Sequence, residues 1–225
     1  MIEETKKNNI KFWINLSVAI LALICFFVIE FFVVHFASLK IDEIFYFIFH
    51  DNIESNFMTN FYKVFTYIGS FYGLIVISLI LLIALKNKRL GILTIVNLIV
   101  VGVFNFVIKI IVRRPRPYGI NIITESGFSF PSGHAMMSIA FFGLLIYFAY
   151  KFIKNKGMKI FFVILFIVII FMLGVSRIYL GVHYFSDVLA GFLMGYVILS
   201  FDIFLFNRLD NCKFKTLNKQ NSNKL

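Results

Sequence analysis

We predict an all-α, polytopic membrane protein whose six transmembrane helices form one bundle, and two observations lead to this fold class. First, hydrophobic residues make up 60% of the 225 positions and charged residues only 15%, whereas a soluble globular chain is about half apolar and a quarter charged. Second, the chain contains six mostly apolar runs, and a bilayer-spanning helix needs about 20 such residues. A soluble domain, a disordered chain, a coiled coil and a secreted disulfide scaffold are therefore excluded.

The six apolar runs are separated by short connectors. They cover residues 12–36, 64–85, 90–111, 135–152, 160–175 and 186–206. The first follows three lysines, as a signal peptide would, but it is too long for one and lacks a small-residue cleavage pattern, so we interpret it as an uncleaved span. It contains Glu30, to which we assign no role. Residues 1–210 then form a single domain, and the polar tail 211–225, which has no apolar period, is predicted to be disordered.

Two local features of this layout allow more than one interpretation. In the first outer connector, residues 37–62, apolar residues recur at helical spacing: Ile41, Ile44, Phe45 and Ile48. This part is either an amphipathic helix in the membrane interface or an ordinary loop with one buried side. In the sixth span, Gly191 and Gly195 form a GxxxG pair, which either drives dimerisation or, as we favour, lets helices of one chain pack closely.

Lys and Arg residues orient the chain, because the cytoplasmic connectors of membrane proteins carry an excess of them. With both termini in the cytoplasm, fifteen of the 22 Lys and Arg residues lie on the cytoplasmic side of a plasma-membrane protein. The formal charge of +11 is thus mostly a topology signal beside the lipid bilayer. Nucleic acid is not an expected partner, since the basic residues are scattered over four separate segments.

The remaining seven cations face outward, and most of them cluster. Five lie at the outer ends of the third and fifth spans: Lys109, Arg113, Arg114, Arg116 and Arg177. A single cation at such a position is commonly a side chain that snorkels to the headgroups. A cluster on the side where cations are disfavoured indicates a site for an anion.

Three outward-facing segments contain nearly all the polar residues suited to chemistry. In the first, which runs from Lys109 to Pro117, prolines stop the third span and leave Arg116 on an irregular segment. The second precedes the fourth span and contains Ser132, Gly133 and His134. Ser132 suits a helix N-cap, the free N–H groups of the helix start suit phosphate, and His134 exchanges protons near neutral pH.

The third segment, residues 176–187, joins the fifth and sixth spans. His183 and Asp187 are spaced i,i+4, so on a helix they lie on one face. The carboxylate can then accept the Nδ1–H and leave Nε2 as a nucleophile or base. Arg177 adds a planar donor that matches phosphate oxygens. The alternative is a structural His–Asp hydrogen bond near the interface.

The outer side therefore offers cations, helix N–H groups, two histidines and one paired carboxylate. A two-metal phosphatase needs several carboxylates or histidines to hold its ions, and outside the first connector only Glu125 and Asp187 are present. With no outward Cys, the remaining mechanism is covalent catalysis through a phosphorylated histidine. We expect neither a metal nor another cofactor.

Together, the three segments resemble the tripartite signature of the type 2 phosphatidic acid phosphatase family, whose phosphate pocket is shared with vanadium haloperoxidases. Lys109 is followed after six residues by Arg116-Pro117, then Pro131-Ser132-Gly133-His134, then Ser176-Arg177 with five residues to His183 and three to Asp187. Arg114-Pro115 is a second Arg-Pro pair, but the six-residue gap selects Arg116. The haloperoxidase relatives are soluble, so the six spans argue against a peroxidase.

The resemblance implies a role for each residue. His183 would attack phosphorus and form a phosphohistidine, Asp187 would orient His183, and His134 would protonate the leaving oxygen and then activate water. The phosphate oxygens would be held by Lys109, Arg116, Ser132, Gly133 and Arg177.

These features predict an integral-membrane phosphatase with its active site at the extracytoplasmic ends of the helices, acting on a membrane lipid phosphate or diphosphate. Phosphatidic acid, phosphatidylglycerophosphate and undecaprenyl diphosphate all fit, and the compact chain slightly favours the last. The alternative is an anion or lipid-phosphate transporter that uses the same cations without hydrolysis, although the spans lack the broken, charged helices of transport sites.

Overall fold

The computed structural model describes residues 2–36, 39–49, 55–118 and 122–222. Within these ranges the regular secondary structure is helical throughout. The helices are α1 Ile2–His35, α2 Lys40–Phe47, α3 Asn56–Phe65, α4 Phe71–Ala84, α5 Lys88–Val112, α6 Gly133–Phe152, α7 Lys156–Tyr179 and α8 Phe185–Ser222.

The long helices cross the membrane. Segments of α1, α5, α6, α7 and α8 are each long and apolar enough to span a bilayer, and α3 and α4 pass the same test together as a span bent by 55°. The predicted all-α, multi-pass membrane fold is thus confirmed, with up to six spans. The second span differs from a continuous helix over residues 64–85, because a 3₁₀ turn, Thr66–Gly69, interrupts it and Ser70 starts α4 as its N-cap.

α6 is the central helix of the bundle. It packs against α8, α7 and α5, and its Phe141 and Leu144 are almost completely buried. Most residues of the α7 span, in contrast, are not buried inside the protein. α1 lies along α8, where Asn15 Nδ2 donates to Ser200 Oγ at 2.6 Å and Tyr196 donates to Asn15 Oδ1 at 3.0 Å. Such polar contacts are a usual means of fixing helices against each other in lipid.

The GxxxG pair of the sixth span is used inside this chain. A Cβ atom on Gly191 would lie 2.6 Å from the carbonyl oxygen of Ser132, and one on Gly195 would lie 2.5 Å from that of Met136. Both glycines therefore face α6 and let it approach α8 closely, as we favoured. The first turn of α6 therefore packs closely against the first turns of α8.

The first outer connector contains a short helix, α2. Its Ile41, Ile44 and Phe47 are exposed, whereas Asp42 is only 2% exposed. The helical interpretation is confirmed for Lys40–Phe47, and its position in the membrane interface stays a prediction. Residues 37, 38 and 50–54 of the same connector lie outside the described ones.

α8 is longer than a span requires. The predicted span ends at residue 206 and the tail beyond 210 was expected to be disordered, yet the helix continues to Ser222. Extending an existing helix is far easier than nucleating one, and residues 207–222 contain neither Gly nor Pro to stop it.

The α6–α8 contact yields a test of the fold. Gly195→Ala should lower the stability of the detergent-solubilised protein by about 1–3 kcal/mol, the usual cost of overpacking, because the new methyl group meets the Met136 carbonyl. Thermal unfolding measures the effect. Gly102→Ala is the matched control, since its Cβ would meet nothing closer than Phe71 Cε2 at 3.7 Å. Equal stability of Gly195→Ala and the wild type would contradict this packing.

Candidate active site

The three motif segments meet at one end of the bundle. Arg113 has a φ of 52°, a left-handed conformation that ends α5 and sends the following residues across the helix ends. Asn105 of α5 donates to the carbonyl of Pro131 at 3.2 Å, and Ser132 N–H donates to the Asp187 carbonyl at 3.0 Å. α5, α6 and α8 are therefore joined by direct hydrogen bonds at the predicted site.

His183 lies at the centre of this cluster and is 4% exposed. Its Nε2 is 3.2 Å from Arg116 Nη1, and a guanidinium can only donate. Nε2 must therefore be the accepting nitrogen, and Nδ1 carries the proton. This leaves a lone pair on Nε2, the nitrogen that was expected to act as a nucleophile or base.

Asp187 lies on the Nδ1 side of the ring. Its Oδ2 is 3.5 Å from His183 Nδ1, which is long for a hydrogen bond. Ser129 bridges the two residues, because its Oγ lies 3.3 Å from Nδ1 and donates a hydrogen bond to Asp187 Oδ2. The His–Asp pair is thus present and includes a serine that sequence reasoning missed.

Burial sets the protonation state of His183. Loss of solvent lowers its pKa to about 3; Asp187 opposes this shift, and the charges of Arg177 and Lys109 add to it. The imidazole is therefore neutral throughout the neutral pH range. A neutral ring with Nδ1 protonated is the form in which Nε2 can attack.

The three predicted phosphate-binding cations lie near His183: Arg116 contacts the ring, and the charges of Lys109 and Arg177 act on it. Arg116 is held by carbonyls, with Nε 3.1 Å from Gly127 O and Nη1 2.8 Å from Val182 O. Lys109 Nζ donates to the carbonyl of Phe128. The charges of Lys109, Arg116 and Arg177 all act on His134, which stands in the first turn of α6.

Arg177 is almost completely buried and is held by two groups that have no role in the sequence-based prediction. Its Nη1 donates to Thr66 Oγ1 at 2.7 Å, and its Nη2 to Glu125 Oε1 at 2.6 Å. Burial alone would raise the pKa of Glu125, but the charge and hydrogen bond of Arg177 hold that pKa below its ordinary value. Glu125 therefore accompanies Arg177 as a carboxylate.

Two donors of the site have no partner. In the part of the chain that the structure describes, the buried side-chain nitrogen and oxygen atoms without a hydrogen bond are Asn97 Oδ1, Ser132 Oγ and Arg177 Nε. Leaving such a group unsatisfied is costly, and two of the three belong to the predicted phosphate pocket. These atoms are available to a bound anion.

The second arginine of the Arg-Pro-Arg-Pro segment, Arg116, reaches His183, as the six-residue gap selected. Arg114 instead turns inward, where Nη1 lies 2.6 Å from Asp187 Oδ1 and Nη2 lies 2.7 Å from Asp42 Oδ2. Arg113 is exposed, and its Nε donates to Ile110 O. The Arg114-Pro115 pair was visible in the sequence, but no local spacing pointed to Asp42.

All eight predicted site residues thus lie at the meeting point of α5, α6 and the α7–α8 connection. Among the described residues, no group of three or more His, Cys, Asp or Glu side chains is arranged to hold a metal ion.

Comparison with known proteins gives one family and several relatives. The model of the PAP2 superfamily matches residues 90–208. Phosphatidylglycerophosphatase B of Bacillus subtilis (strain 168) is 39% identical over 93 residues, which is 40% of this chain and 45% of that protein. Undecaprenyl-diphosphatase of Sulfolobus acidocaldarius is 27% identical over 133 residues, 56% of this chain and 60% of that protein. The matches thus span only about half the length of these curated relatives.

Two solved structures share the fold. The transmembrane PAP2 type phosphatidylglycerolphosphate phosphatase from Bacillus subtilis has a TM-score of 0.73 at 25% identity, covering 84% of this chain and 96% of that one. Aquifex aeolicus LpxE has a TM-score of 0.58 at 25% identity, covering 72% and 93%.

The buried, neutral His183 predicts a pH dependence of stability. In the unfolded chain a histidine has a pKa of about 6.5, so between pH 6.5 and about 3 the unfolded chain binds a proton that the folded protein does not. Stability should therefore fall with decreasing pH in this window, by at most about 1.4 kcal/mol per pH unit from this group.

His183→Gln should remove this contribution and flatten the loss of thermal stability between pH 7 and pH 5 in detergent. His35→Gln, at an exposed position, should keep the wild-type dependence. An unchanged slope in His183→Gln would show that His183 is not buried in its neutral form.

Proposed function

Because the chain belongs to the PAP2 superfamily, whose model matches just over half of it, we propose that it is an integral-membrane phosphatase that hydrolyses a lipid phosphate or diphosphate. The observation that carries the proposal is the pair of unpartnered donors, Ser132 Oγ and Arg177 Nε, in the same cluster as a neutral histidine backed by a carboxylate. This is the arrangement that a nucleophilic histidine and a phosphate ligand require.

In the first step, His183 Nε2 attacks phosphorus, forming a P–N bond while the P–O bond to the leaving lipid breaks. His134 donates a proton to the departing oxygen. Arg116 Nη1, which lies 3.2 Å from Nε2 in the resting site, transfers its hydrogen bond to a phosphate oxygen as phosphorus approaches. Asp187 stabilises the positive charge that develops on the imidazole.

In the second step, water replaces the protein nitrogen. His134 accepts a proton from this water, whose oxygen attacks phosphorus as the P–N bond breaks and inorganic phosphate leaves. His134 is then protonated again, as the first step requires. The two histidines end the cycle as they began it.

Positive groups supply the electrostatic stabilisation, which is commonly the largest contribution in phosphoryl transfer. Lys109, Arg116 and Arg177 hold the phosphate oxygens together with Ser132 and the N–H of Gly133, which adds the positive end of the α6 dipole. As the phosphate enters, Arg177 Nη2 exchanges its hydrogen bond to Glu125 for one to a phosphate oxygen. We place no metal ion in this reaction.

The active site faces the extracytoplasmic side in this proposal, with both termini in the cytoplasm. The count of Lys and Arg residues in the connectors supports that orientation. A phosphorylated lipid then presents its anion to the site at headgroup height while its tails stay in the bilayer. Three of the four relatives reported above are named as phosphatases, and nothing supports the transporter alternative.

The substrate proposal follows the relatives' names. The sequence alone slightly favoured a polyprenyl diphosphate, whereas a curated relative at 39% identity and a solved structure at TM-score 0.73 both carry the name of a phosphatidylglycerophosphate phosphatase. We therefore place phosphatidylglycerophosphate first among the candidate substrates, ahead of undecaprenyl diphosphate and phosphatidic acid.

A phosphate-release panel tests the reaction. The purified protein, in detergent with EDTA, should release phosphate from at least one of these three lipids, and orthovanadate should compete, because it adopts the geometry of the phosphoryl group in transfer. Activity that disappears in EDTA and returns with Mg²⁺ would overturn the metal-independent mechanism.

A single variant tests the nucleophile. His183→Ala should abolish phosphate release, at least about 10⁴-fold as for other covalent catalysts that lose an essential group, while the protein stays folded and monodisperse in detergent. His35→Ala, at an exposed ring outside the site, should keep full activity. Full activity in His183→Ala would exclude a phosphohistidine at this position.

A further inference from the structure

We propose that Arg114 and Asp42 are positioning residues for the reaction: together they hold Asp187 in place behind His183 and keep its carboxylate negatively charged. This inference rests on the proposed function, since the pair acts on the histidine that receives the phosphoryl group. Neither residue belongs to the matched motif positions.

The end of α5 gives two adjacent arginines opposite environments. The left-handed Arg113 points to the surface, and Arg114, the next residue, is 5% exposed. The Arg114 carbonyl accepts the N–H of Ser129 at 2.8 Å, the same residue whose hydroxyl bridges His183 and Asp187. The backbone around Arg114 is therefore tied to the site as well as its side chain.

The guanidinium of Arg114 is fixed on three sides. Nη1 donates to Asp187 Oδ1 at 2.6 Å and to Ser186 Oγ at 2.8 Å, and Nη2 donates to Asp42 Oδ2 at 2.7 Å. Its carbon lies 4.0 Å above the ring centroid of Tyr184, a cation–π arrangement. Protein groups thus occupy both Nη atoms of Arg114, and the guanidinium is held by the protein itself.

Asp42 fixes the same turn from the opposite side. Its Oδ1 accepts the N–H of Ser186 at 2.8 Å, and its Oδ2 accepts the Ser186 hydroxyl at 2.8 Å. A carboxylate is favourable at this position because it meets the positive end of the α8 dipole. Through Asp42, the short helix α2 holds the first turn of α8, which carries Asp187.

The charges of this cluster suit the chemistry of His183. Arg114 with Asp42 and Asp187 leaves one net negative charge beside a neutral imidazole. When Nε2 bonds to phosphorus, the ring becomes positive, and this negative charge stabilises it. Asp187 has no solvent exposure, and a buried carboxylate without a cation is strongly disfavoured. Without Arg114, Asp187 would take a proton and lose its effect on His183.

The test measures the kinetics of variants in which Arg114 or Asp42 loses its charge and compares them with Arg113→Met, a variant of the neighbouring residue. Arg114→Met should lower kcat by about tenfold to a hundredfold, less than the ~10⁴-fold seen when an orienting carboxylate itself is replaced. KM should stay within about threefold, because Arg114 does not touch the substrate. Rapid-quench trapping of the phosphohistidine from a labelled substrate should show the same loss in its rate of formation.

Conservative variants and a neighbour separate positioning from folding. Arg114→Lys should recover part of the loss by restoring the charge, and Asp42→Asn, which keeps the shape, should lower kcat by up to about tenfold. Arg113→Met, at the exposed neighbour, should match the wild type. If Arg114→Met does not fold, the folded Arg114→Lys and Asp42→Asn proteins decide the question.

Three outcomes count against the inference. Folded Arg114→Met or Asp42→Asn protein with a wild-type kcat would overturn it, because these residues would then serve folding alone. A raised KM at unchanged kcat would assign Arg114 to substrate binding instead. A wild type that releases phosphate from none of the three lipids, or releases it without a phosphohistidine, would refute the proposed function and this inference with it.

Discussion

α6 and α8 pack with almost nothing between their backbones at Gly191 and Gly195, and the site at their outer ends depends on that contact. Because neither residue has a side chain, the start of α6 reaches the start of α8, where Ser132 N–H donates to the Asp187 carbonyl at 3.0 Å. The helix start that suits a phosphate is thereby placed beside the His183–Asp187 pair. In a bilayer this contact gains from close packing, because lipid offers no hydrophobic force between helices.

The buried charges obey a second constraint, since an unpaired charge away from water is strongly disfavoured. Arg114 is balanced by two carboxylates, and Arg177 is paired with Glu125 at 2.6 Å. Both charges are thus paired, but among the buried atoms of the described residues Arg177 Nε has no hydrogen-bond partner. The Arg114 pairing positions the residues around the site, whereas the Arg177 pairing leaves one donor that an anion can use.

Several elements were predictable because they depend on local properties. The spans followed from runs of apolar residues, and the motif followed from fixed spacings such as that between His183 and Asp187. The broken second span was not predictable in the same way. Its halves are both apolar, and the interruption rests on a 3₁₀ turn and on Ser70 as a cap, features that a hydropathy count does not register.

By itself, the sequence determined the class of protein and the residue types of the site. Only the tertiary structure decided what each arginine of the Arg-Arg-Pro-Arg segment does: one turns to the surface, one binds Asp42 and Asp187, and one reaches His183. The physical reason is that Arg114 contacts both Asp42 and Asp187, although they are 72 and 73 residues away from it in the sequence. Neither hydropathy nor motif spacing reports such a contact, because helix packing alone brings these residues together.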